Sequence, residues 1–393
     1  MAGAMLAAVV VGAGGAAVAA PRDAGAAAAV PLPPLDRAAI RQAVAGFPTA
    51  DVNGVLVRVT GSAGRFETSA GVGDRTTGQA PDPQGRFRIG SISKVFTATV
   101  VLQLAAEHRL DLDGTVQRYL PGLLPADLPP VKIGQLLDHT SGLPHGSGDA
   151  WGDGTATWFV EHRFDSWTPE QVVATLAGQP MAFAPGTGQQ YNGLNTFVAG
   201  LLIEKVTGRS YPHEVQRRII EPLHLRDTAV PDRRDPRLAR PAAHAYLTVP
   251  GPDGADRQVD VTEQSPWPWA EGGLISSAPD LDHFLTALFQ GRLLPPAQEE
   301  QLFTVPEVPN VDNSQCFPGQ QQACMSKGLV RTEINGVTLW GKTGSRPGWT
   351  SGAFATRDLQ RRLVYSFNPT TTRGADIRYV LKLANAVVPP AAG

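Results

Sequence analysis

The sequence predicts a mixed α/β (α+β) protein in which strands from both ends of the chain form one sheet and a mostly helical segment is inserted between them. Short stretches of alternating apolar and polar residues, bounded by glycine, predict the strands. They occur at 54–60 and 64–72, and again at 337–342, 351–356 and 362–367. Because these stretches cluster at the two ends, the chain is expected to leave the sheet and later return to it.

Apolar residues at helical spacing predict the helices. The pattern covers residues 36–46, 91–108, 168–177, 194–206, 278–288 and 376–387. Pro279 stands at the start of the fifth helix, a position that proline favours. We therefore expect one domain at 36–390, with an α/β part at 36–100 and 268–390 and a helical insert at 101–267.

The composition excludes several classes of protein. Of the 393 residues, 42% are hydrophobic and 18% are charged, so the chain can bury a sizeable core and is not a disordered protein. The 34 basic and 36 acidic residues give a net charge of −2, and no basic block stands out. A surface dedicated to nucleic acid or to anionic membranes is therefore not expected.

The first twenty residues are typical of a signal peptide. Residues 1–20 are rich in alanine, glycine and valine and end in an Ala-x-Ala-like cleavage sequence, and a loose linker follows at 21–35. No later segment reaches the roughly 18 apolar residues of a membrane span. We therefore expect a secreted protein without a stable membrane span.

The only two cysteines, Cys316 and Cys324, lie close together in a segment rich in glycine, proline and glutamine. Without neighbouring histidines they make a poor zinc site. A small loop disulfide suits an exported protein, and two unrelated thiols are the alternative.

A single Ser-x-x-Lys motif, formed by Ser91 and Lys94, is the strongest catalytic signal. Lysine occurs at only six positions, and no other lysine has a serine three residues earlier. Residues i and i+3 share a helix face, so Lys94 can reach the Ser91 hydroxyl. Lys94 adjoins an apolar run and has no carboxylate within one helical turn, so burial is expected to lower its pKa and make it a base for Ser91.

The second signal is a Lys-Thr-Gly motif with the two residues after it: Lys342, Thr343, Gly344, Ser345 and Arg346. Glycine on a strand edge lets a substrate backbone approach closely. Lys342 would supply a fixed positive charge, and the N–H of Ser345 would complete an oxyanion hole with that of Ser91. Arg346 is the candidate for docking a substrate carboxylate, since guanidinium groups suit carboxylates; a solvated turn residue is the alternative.

Other catalytic classes find no support in the sequence. There is no His-Glu-x-x-His pattern and no clustered set of metal ligands, so neither a metal nor another cofactor is expected. A nucleophile elbow of the Gly-x-Ser-x-Gly kind is also missing, which makes a Ser-His-Asp hydrolase a weak rival. His139 is interpreted as structural.

Taken together, these motifs resemble those of the serine β-lactamase and penicillin-binding-protein superfamily, in particular its class C-like branch of D-alanyl-D-alanine carboxypeptidases, β-lactamases and esterases. The resemblance extends over nearly the whole chain from about residue 36. Besides the two motifs above, it rests on segments 136–144, 185–200 and 272–281. It implies a β-lactamase/transpeptidase-like fold, an antiparallel sheet flanked by helices.

The resemblance also implies further site residues. The tyrosine of the branch's Tyr-x-Asn element, which handles protons together with the lysine, corresponds to Tyr191. The asparagine of that element, which supports binding of the substrate amide, should fall at position 193, where this chain has Gly193. Asn192 is expected to point elsewhere, and Asn195 is the other candidate for that role. If Gly193 marks a missing amide donor, the enzyme should be a poorer amidase than its relatives while ester cleavage stays comparatively intact. Gly193→Asn should then raise kcat/KM for peptide or β-lactam substrates more than for p-nitrophenyl esters.

The implied activity is acyl transfer through Ser91, with water or an amine as acceptor, most simply as a D-alanyl-D-alanine carboxypeptidase. A class C-like β-lactamase, an esterase and a peptide-cyclising acyltransferase would use the same machinery. A weakly catalytic protein that captures peptidoglycan fragments or β-lactams is the rival from another class. The expected partner is a small peptide or β-lactam-type substrate, bound by a monomer.

Overall fold

The computed structural model describes residues 31–62, 64–148, 152–311, 315–317 and 319–390. The predicted signal peptide and the first ten residues of the predicted linker lie outside these ranges. Within the described residues, no helix is both long enough and apolar enough to cross a membrane.

Six antiparallel strands form the main sheet, in the order β2-β1-β10-β9-β8-β7. Two smaller two-stranded sheets pair β3 with β6 and β4 with β5. The strands are β1 (Val52–Thr60), β2 (Phe66–Gly71), β3 (Arg86–Arg88), β4 (Tyr246–Pro250), β5 (Asp256–Asp260), β6 (Ile275–Ser277), β7 (Val330–Ile334), β8 (Val337–Arg346), β9 (Trp349–Ala355) and β10 (Arg362–Pro369).

Helices cover the sheet and are the main regular elements of the long segment between its two halves. They are α1 (Arg37–Ala43), α2 (Ser93–Ala106), α3 (Val116–Tyr119), α4 (Ile133–Leu137), α5 (Ala156–His162), α6 (Pro169–Ala174), α7 (Leu194–Thr207), α8 (Tyr211–Val215), α9 (Trp269–Gly272), α10 (Ala278–Phe289), α11 (Pro296–Gln301) and α12 (Ile377–Val387). The predicted fold, an antiparallel sheet flanked by helices with a mostly helical insert, is confirmed. The insert also carries the β4–β5 hairpin, which the sequence pattern did not indicate.

Strand β1 shows why helices lie on both faces of the sheet. All nine of its residues are buried, and successive side chains point to opposite faces. Leu56 belongs to the large core that contains α2, α7 and α10, whereas Val55 and Val57 join a second core with α1 and α12. A strand buried on both faces is a continuous apolar run, as in the segment Val55–Val57.

Helix α2 runs through the larger core and is buried over most of its circumference. One of its side chains, Phe96, stacks on Phe284 of α10 with ring centroids 3.9 Å apart. A helix surrounded by apolar side chains is held firmly along its length. The residues at its start therefore have a fixed position relative to the sheet.

Candidate active site

Ser91 lies in a 3₁₀ turn, Gly90–Ile92, immediately before α2. Gly90 has φ +50°, and a Cβ there would stand 2.5 Å from the carbonyl oxygen of Ser345. A Cβ on Gly344 would overlap the carbonyl oxygen of Ile89. Both glycines are therefore required for the Ser91 turn to pack directly on β8, which brings the Ser-x-x-Lys and Lys-Thr-Gly motifs together as predicted.

Lys94, in the first turn of α2, is only 4% exposed, and its Nζ points at the nucleophile. It donates hydrogen bonds to Ser91 Oγ at 2.9 Å and to the carbonyl oxygen of Glu271 at 2.8 Å. The Glu271 carboxylate lies 2.5 Å from the same nitrogen. Lys94 therefore connects the nucleophile to a negative charge that comes from a distant part of the chain.

The partnership with Glu271 reverses one expectation. The sequence predicted that burial would lower the pKa of Lys94. Burial does act in that direction and is the largest single influence, but the charge and hydrogen bond of Glu271, helped by Tyr191, raise the pKa of Lys94 above its ordinary value. The prediction was wrong because it considered only carboxylates within one turn of the same helix.

Tyr191 completes the group around the nucleophile, as the resemblance implied. Its hydroxyl donates a hydrogen bond to Ser91 Oγ at 2.7 Å. Its ring centroid lies 4.8 Å from that of His139, and the ring Nδ1 of His139 accepts the backbone N–H of Asn192 at 3.2 Å. Burial lowers the pKa of His139 well below its usual range, so a neutral imidazole supports the tyrosine from behind.

Lys342 lies against the face of the Tyr191 ring, with Nζ 4.7 Å from the ring centroid. Its Nζ donates to Gln315 Oε1 at 2.5 Å, and the Thr343 hydroxyl donates to the same oxygen at 3.2 Å. Burial and the charge of Lys94 lower the pKa of Lys342 well below its usual value. The surroundings of Lys342 therefore disfavour the charged form that the sequence analysis expected.

A cleft of about 260 Å³ opens beside Ser91, and its lining identifies a cation that the sequence analysis missed. Ser91, Tyr191 and residues 342–345 line it together with the exposed Arg373, from the loop before α12. Arg346, the predicted carboxylate-docking residue, does not line this cleft; its Nη2 donates to the Ser265 carbonyl at 3.2 Å. Burial lowers the pKa of Arg346 to about 10.

Asn195, the other predicted substrate-binding residue, is fully buried on α7. Its amide oxygen accepts the Ser141 hydroxyl at 2.7 Å, and its amide nitrogen lies 3.2 Å from His139 Nδ1. The structure therefore does not bring Asn195 into the cleft. Asn192 points away as expected, donating to the carbonyl oxygens of Leu143 and Pro144.

Glu271 and Gln315 are the other functional candidates that sequence reasoning missed. Glu271 directly precedes the Gly272-Gly273 pair of a recognised segment, which was the one available signal. Gln315 precedes Cys316, and the predicted disulfide between Cys316 and Cys324 is confirmed. Gln315 directly precedes the short loop that this disulfide closes, lines the cleft and contacts Lys342 and Thr343.

The arrangement joins Ser91, a candidate nucleophile, with two groups that can move protons and a strand edge along which a substrate can lie. Among the residues that the structure describes, no cluster of histidine, cysteine, aspartate and glutamate could hold a metal ion. Fold and site together define a serine hydrolase of the β-lactamase and penicillin-binding-protein superfamily. The chain belongs to the beta-lactamase family, whose sequence model, described as Beta-lactamase, matches residues 37–386, and the resemblance is thereby confirmed.

Known proteins similar to this chain differ in their activities. The crystal structure of a D-stereospecific amidohydrolase from Streptomyces sp. is 34% identical, with a TM-score of 0.76, and covers 91% of this chain and 100% of its own. Esterase EstB of Burkholderia gladioli is 30% identical over 57% of this chain and 62% of its own length, so the match spans less than two thirds of the esterase. Penicillin-binding protein 4* of Bacillus subtilis is 25% identical over 80% of this chain and 68% of its own.

Proposed function

We propose that the protein is an amidohydrolase that forms an acyl-enzyme on Ser91 and cleaves the bond after a D-amino acid residue, with peptides ending in D-alanyl-D-alanine as the leading substrate class. The observation that carries this proposal is that Ser91, which is hydrogen-bonded to Lys94 and Tyr191, lines one cleft together with the cationic side chain of Arg373. The similarity to a D-stereospecific amidohydrolase over nearly the whole chain supports the D-configured acyl group.

In the proposed reaction, Ser91 Oγ attacks the scissile carbonyl carbon while its proton passes to the adjacent proton-handling groups. The N–H groups of Ser91 and Ser345 would stabilise the oxyanion, since the two backbones pack against each other across Gly90. The leaving amine takes a proton from Tyr191, whose hydroxyl lies 2.7 Å from Ser91 Oγ. Water then releases the acyl group by the reverse sequence of proton transfers.

The rim of the cleft favours a leaving group that carries a free carboxylate. Arg373 lines the cleft together with Thr343 and Lys342. Guanidinium and hydroxyl donors on one side of a cleft suit a carboxylate. A bound carboxylate would also favour the protonated form of Lys342, which burial otherwise disfavours.

A second candidate function is ester hydrolysis, because Gly193 offers no side-chain amide to the acyl group of a substrate. Activated esters depend less on such a positioning contact, which is worth about 1 kcal/mol for a neutral hydrogen bond. The match to a bacterial esterase is consistent with this alternative. Both functions use the same nucleophile and differ in the substrates that turn over fastest.

We also propose that the protein is exported. The Cys316–Cys324 disulfide supports this assignment, because disulfides persist mainly in oxidising compartments.

A substrate panel with an arginine variant tests the proposed function. The wild type is expected to hydrolyse an acylated D-alanyl-D-alanine peptide faster than its L-alanyl diastereomer, a chromogenic cephalosporin or a p-nitrophenyl ester. Arg373→Ala should raise KM for the free-carboxylate peptide about tenfold and leave the C-terminal amide of the same peptide nearly unaffected. Steady-state kinetics on the matched pair measures this difference.

Arg378→Ala is the matched control, because Arg378 lies nearby at the start of α12 but pairs with Asp376. It should leave both substrates unchanged. Equal losses for the acid and the amide in Arg373→Ala would remove the carboxylate-docking role. Faster turnover of the ester than of every peptide would favour the esterase.

A further inference from the structure

The side chain of Glu271 occupies the space that the substitution of asparagine by glycine at position 193 leaves open. Gly193 has an ordinary helical φ of −62°, so its backbone does not require glycine. A Cβ at this position would stand 2.8 Å from Glu271 Oε1 and 3.1 Å from Glu271 Cγ. A side chain at position 193 would therefore have to displace the Glu271 carboxylate, whereas the backbone conformation would accept it.

The same carboxylate oxygen is the one that contacts Lys94. Oε1 of Glu271 lies 2.5 Å from Lys94 Nζ, and Ser91 Oγ lies 2.9 Å from that nitrogen. Lys94 Nζ thus bridges the nucleophile and the carboxylate with one hydrogen bond on each side. This is the arrangement required for one proton to enter the nitrogen as another leaves it.

We propose that Glu271 is the proton acceptor for Ser91, acting through Lys94, and that the absence of a side chain at Gly193 leaves room for this carboxylate. This proposal deepens the acyl-transfer function proposed above and rests on Ser91 being its nucleophile. The positive charge stays on Lys94 throughout the step, and the carboxylate, rather than a neutral amine, provides the basicity.

The proton transfers balance in the following way. The Ser91 hydroxyl proton moves to Lys94 Nζ while an Nζ proton moves to Glu271 Oε1, and the electron pair left on Oγ forms the bond to the carbonyl carbon. The C=O electron pair moves onto oxygen. When the tetrahedral intermediate collapses, the bond to the leaving group breaks and that group takes the Tyr191 proton. Glu271 returns its proton through Lys94 to Tyr191, which restores all three residues.

The charges around the Lys94–Glu271 pair are consistent with an ammonium group that persists on Lys94. The groups that face the pair or interact with its charges are Tyr191, His139, Lys342 and Arg346. Burial raises the pKa of Tyr191, and His139 and Lys342 have lowered pKa values. The Glu271 carboxylate, 2.5 Å from Lys94 Nζ, is therefore the negative charge that compensates the Lys94 ammonium.

The pH dependence of Ser91 phosphonylation by a fluorophosphonate tests the proposal without depending on the natural substrate. Glu271→Gln, which keeps the shape and removes the charge, should lower the rate at pH 7 about ten- to hundredfold. The acid limb of the pH–rate profile of this variant should lie at least about one pH unit higher than in the wild type. The reason is that Lys94 must then lose its own proton before it can act as the base. Glu271→Asp should keep the limb near the wild-type position at a reduced rate, and it preserves the test if the glutamine variant does not fold.

The opposite shift would overturn the proposal. If neutral Lys94 is the base in the wild type, removing the carboxylate that raises its pKa must move the acid limb to lower pH and preserve or increase the rate at pH 7. An unmoved limb would also contradict the proposal. Glu107→Gln is the control: Glu107 follows the other end of α2 and pairs with Arg218, so its loss should leave the limb in place.

A double-mutant cycle tests whether Gly193 acts through Glu271 or marks a missing amide donor. Gly193→Asn should lower the phosphonylation rate about tenfold or more, because the new side chain displaces Glu271 from Lys94. In a Glu271→Ala background the same change should cost less than about threefold. Equal costs in both backgrounds would show that Gly193 does not act through Glu271. A peptide-selective gain in Gly193→Asn would restore the original interpretation as a missing amide donor.

If the protein fails to hydrolyse D-configured peptides, only the substrate assignment fails, since phosphonylation reports on the nucleophile directly. A wild type that does not react with the fluorophosphonate would instead contradict Ser91 as the nucleophile and the present proposal with it.

Discussion

Replacing Ser91 with alanine is expected to reduce turnover of every substrate about 10⁴- to 10⁶-fold and to abolish covalent labelling. Lys94 Nζ and the Tyr191 hydroxyl both donate hydrogen bonds to Ser91 Oγ, at 2.9 and 2.7 Å. Without it, the remaining groups can still bind substrate and stabilise an oxyanion, but no acyl-enzyme can form. Steady-state kinetics and gel-based labelling with a fluorescent fluorophosphonate measure the loss.

Ser93→Ala is the natural control for this variant, because Ser93 lies two residues away and is fully buried. Its hydroxyl accepts the backbone N–H of Leu274 at 3.2 Å, which is a structural contact. The control should be somewhat less stable but should label at the same site as the wild type. Retention of more than about 1% of wild-type activity in Ser91→Ala would show that another nucleophile operates.

The second large effect is expected at Lys94, where Lys94→Arg should be nearly as inactive as Lys94→Ala, each losing about 10³- to 10⁴-fold in kcat. A guanidinium group can carry the positive charge but cannot give up a proton at any relevant pH. Lys94 has to receive a proton from Ser91 and pass one on, whichever group finally holds it. Single-turnover acylation rates would separate this step from the release of product.

The thermal stability of each Lys94 variant must be measured together with its kinetics, because each substitution disturbs a buried environment. Lys94→Ala leaves the Glu271 carboxylate without its partner, which costs stability by uncompensated charge. Thermal melting of both variants therefore accompanies the kinetics. An arginine variant that keeps most of the wild-type acylation rate would show that Lys94 acts only through its charge.

The parts of the fold that sequence reasoning predicted are those in which a local pattern decides the structure. Strand β1 and the helices α2 and α7 are largely apolar stretches, and α10 has one apolar face. The β4–β5 hairpin and β7 were missed. β5 (Asp256–Asp260) is polar, and β7 has only five residues, of which the middle three are charged or polar. Neither strand therefore shows the apolar content by which strands are recognised.

The candidate active-site residues likewise divide into those whose contacts follow from local sequence and those whose contacts depend on tertiary packing. Ser91 and Lys94 are three residues apart, so helix geometry alone predicts their contact. Glu271 reaches Lys94 across 177 positions of sequence, and only the tertiary packing of α9 against α2 brings it there. Because the charge and hydrogen bond of Glu271, together with Tyr191, outweigh the effect of burial on Lys94, the expected direction of the Lys94 pKa was wrong as well.

Substrate-binding residues were the least predictable, since exposure depends on packing. Asn195 lies within a recognised segment, but its buried position on α7 directs it toward Ser141 and His139. Arg346 and Arg373 both flank the predicted strands, and nothing in the sequence distinguishes which one lines the cleft.

The most direct test of the central claim is to locate the covalent bond. The protein is treated with a fluorophosphonate, its intact mass is measured, and the labelled peptide is mapped by fragmentation. The account predicts one adduct per chain, on Ser91 Oγ, formed rapidly in the wild type and slowly in Lys94→Arg. An adduct on Ser93, Ser141 or Tyr191, or no adduct on a folded protein, would contradict it.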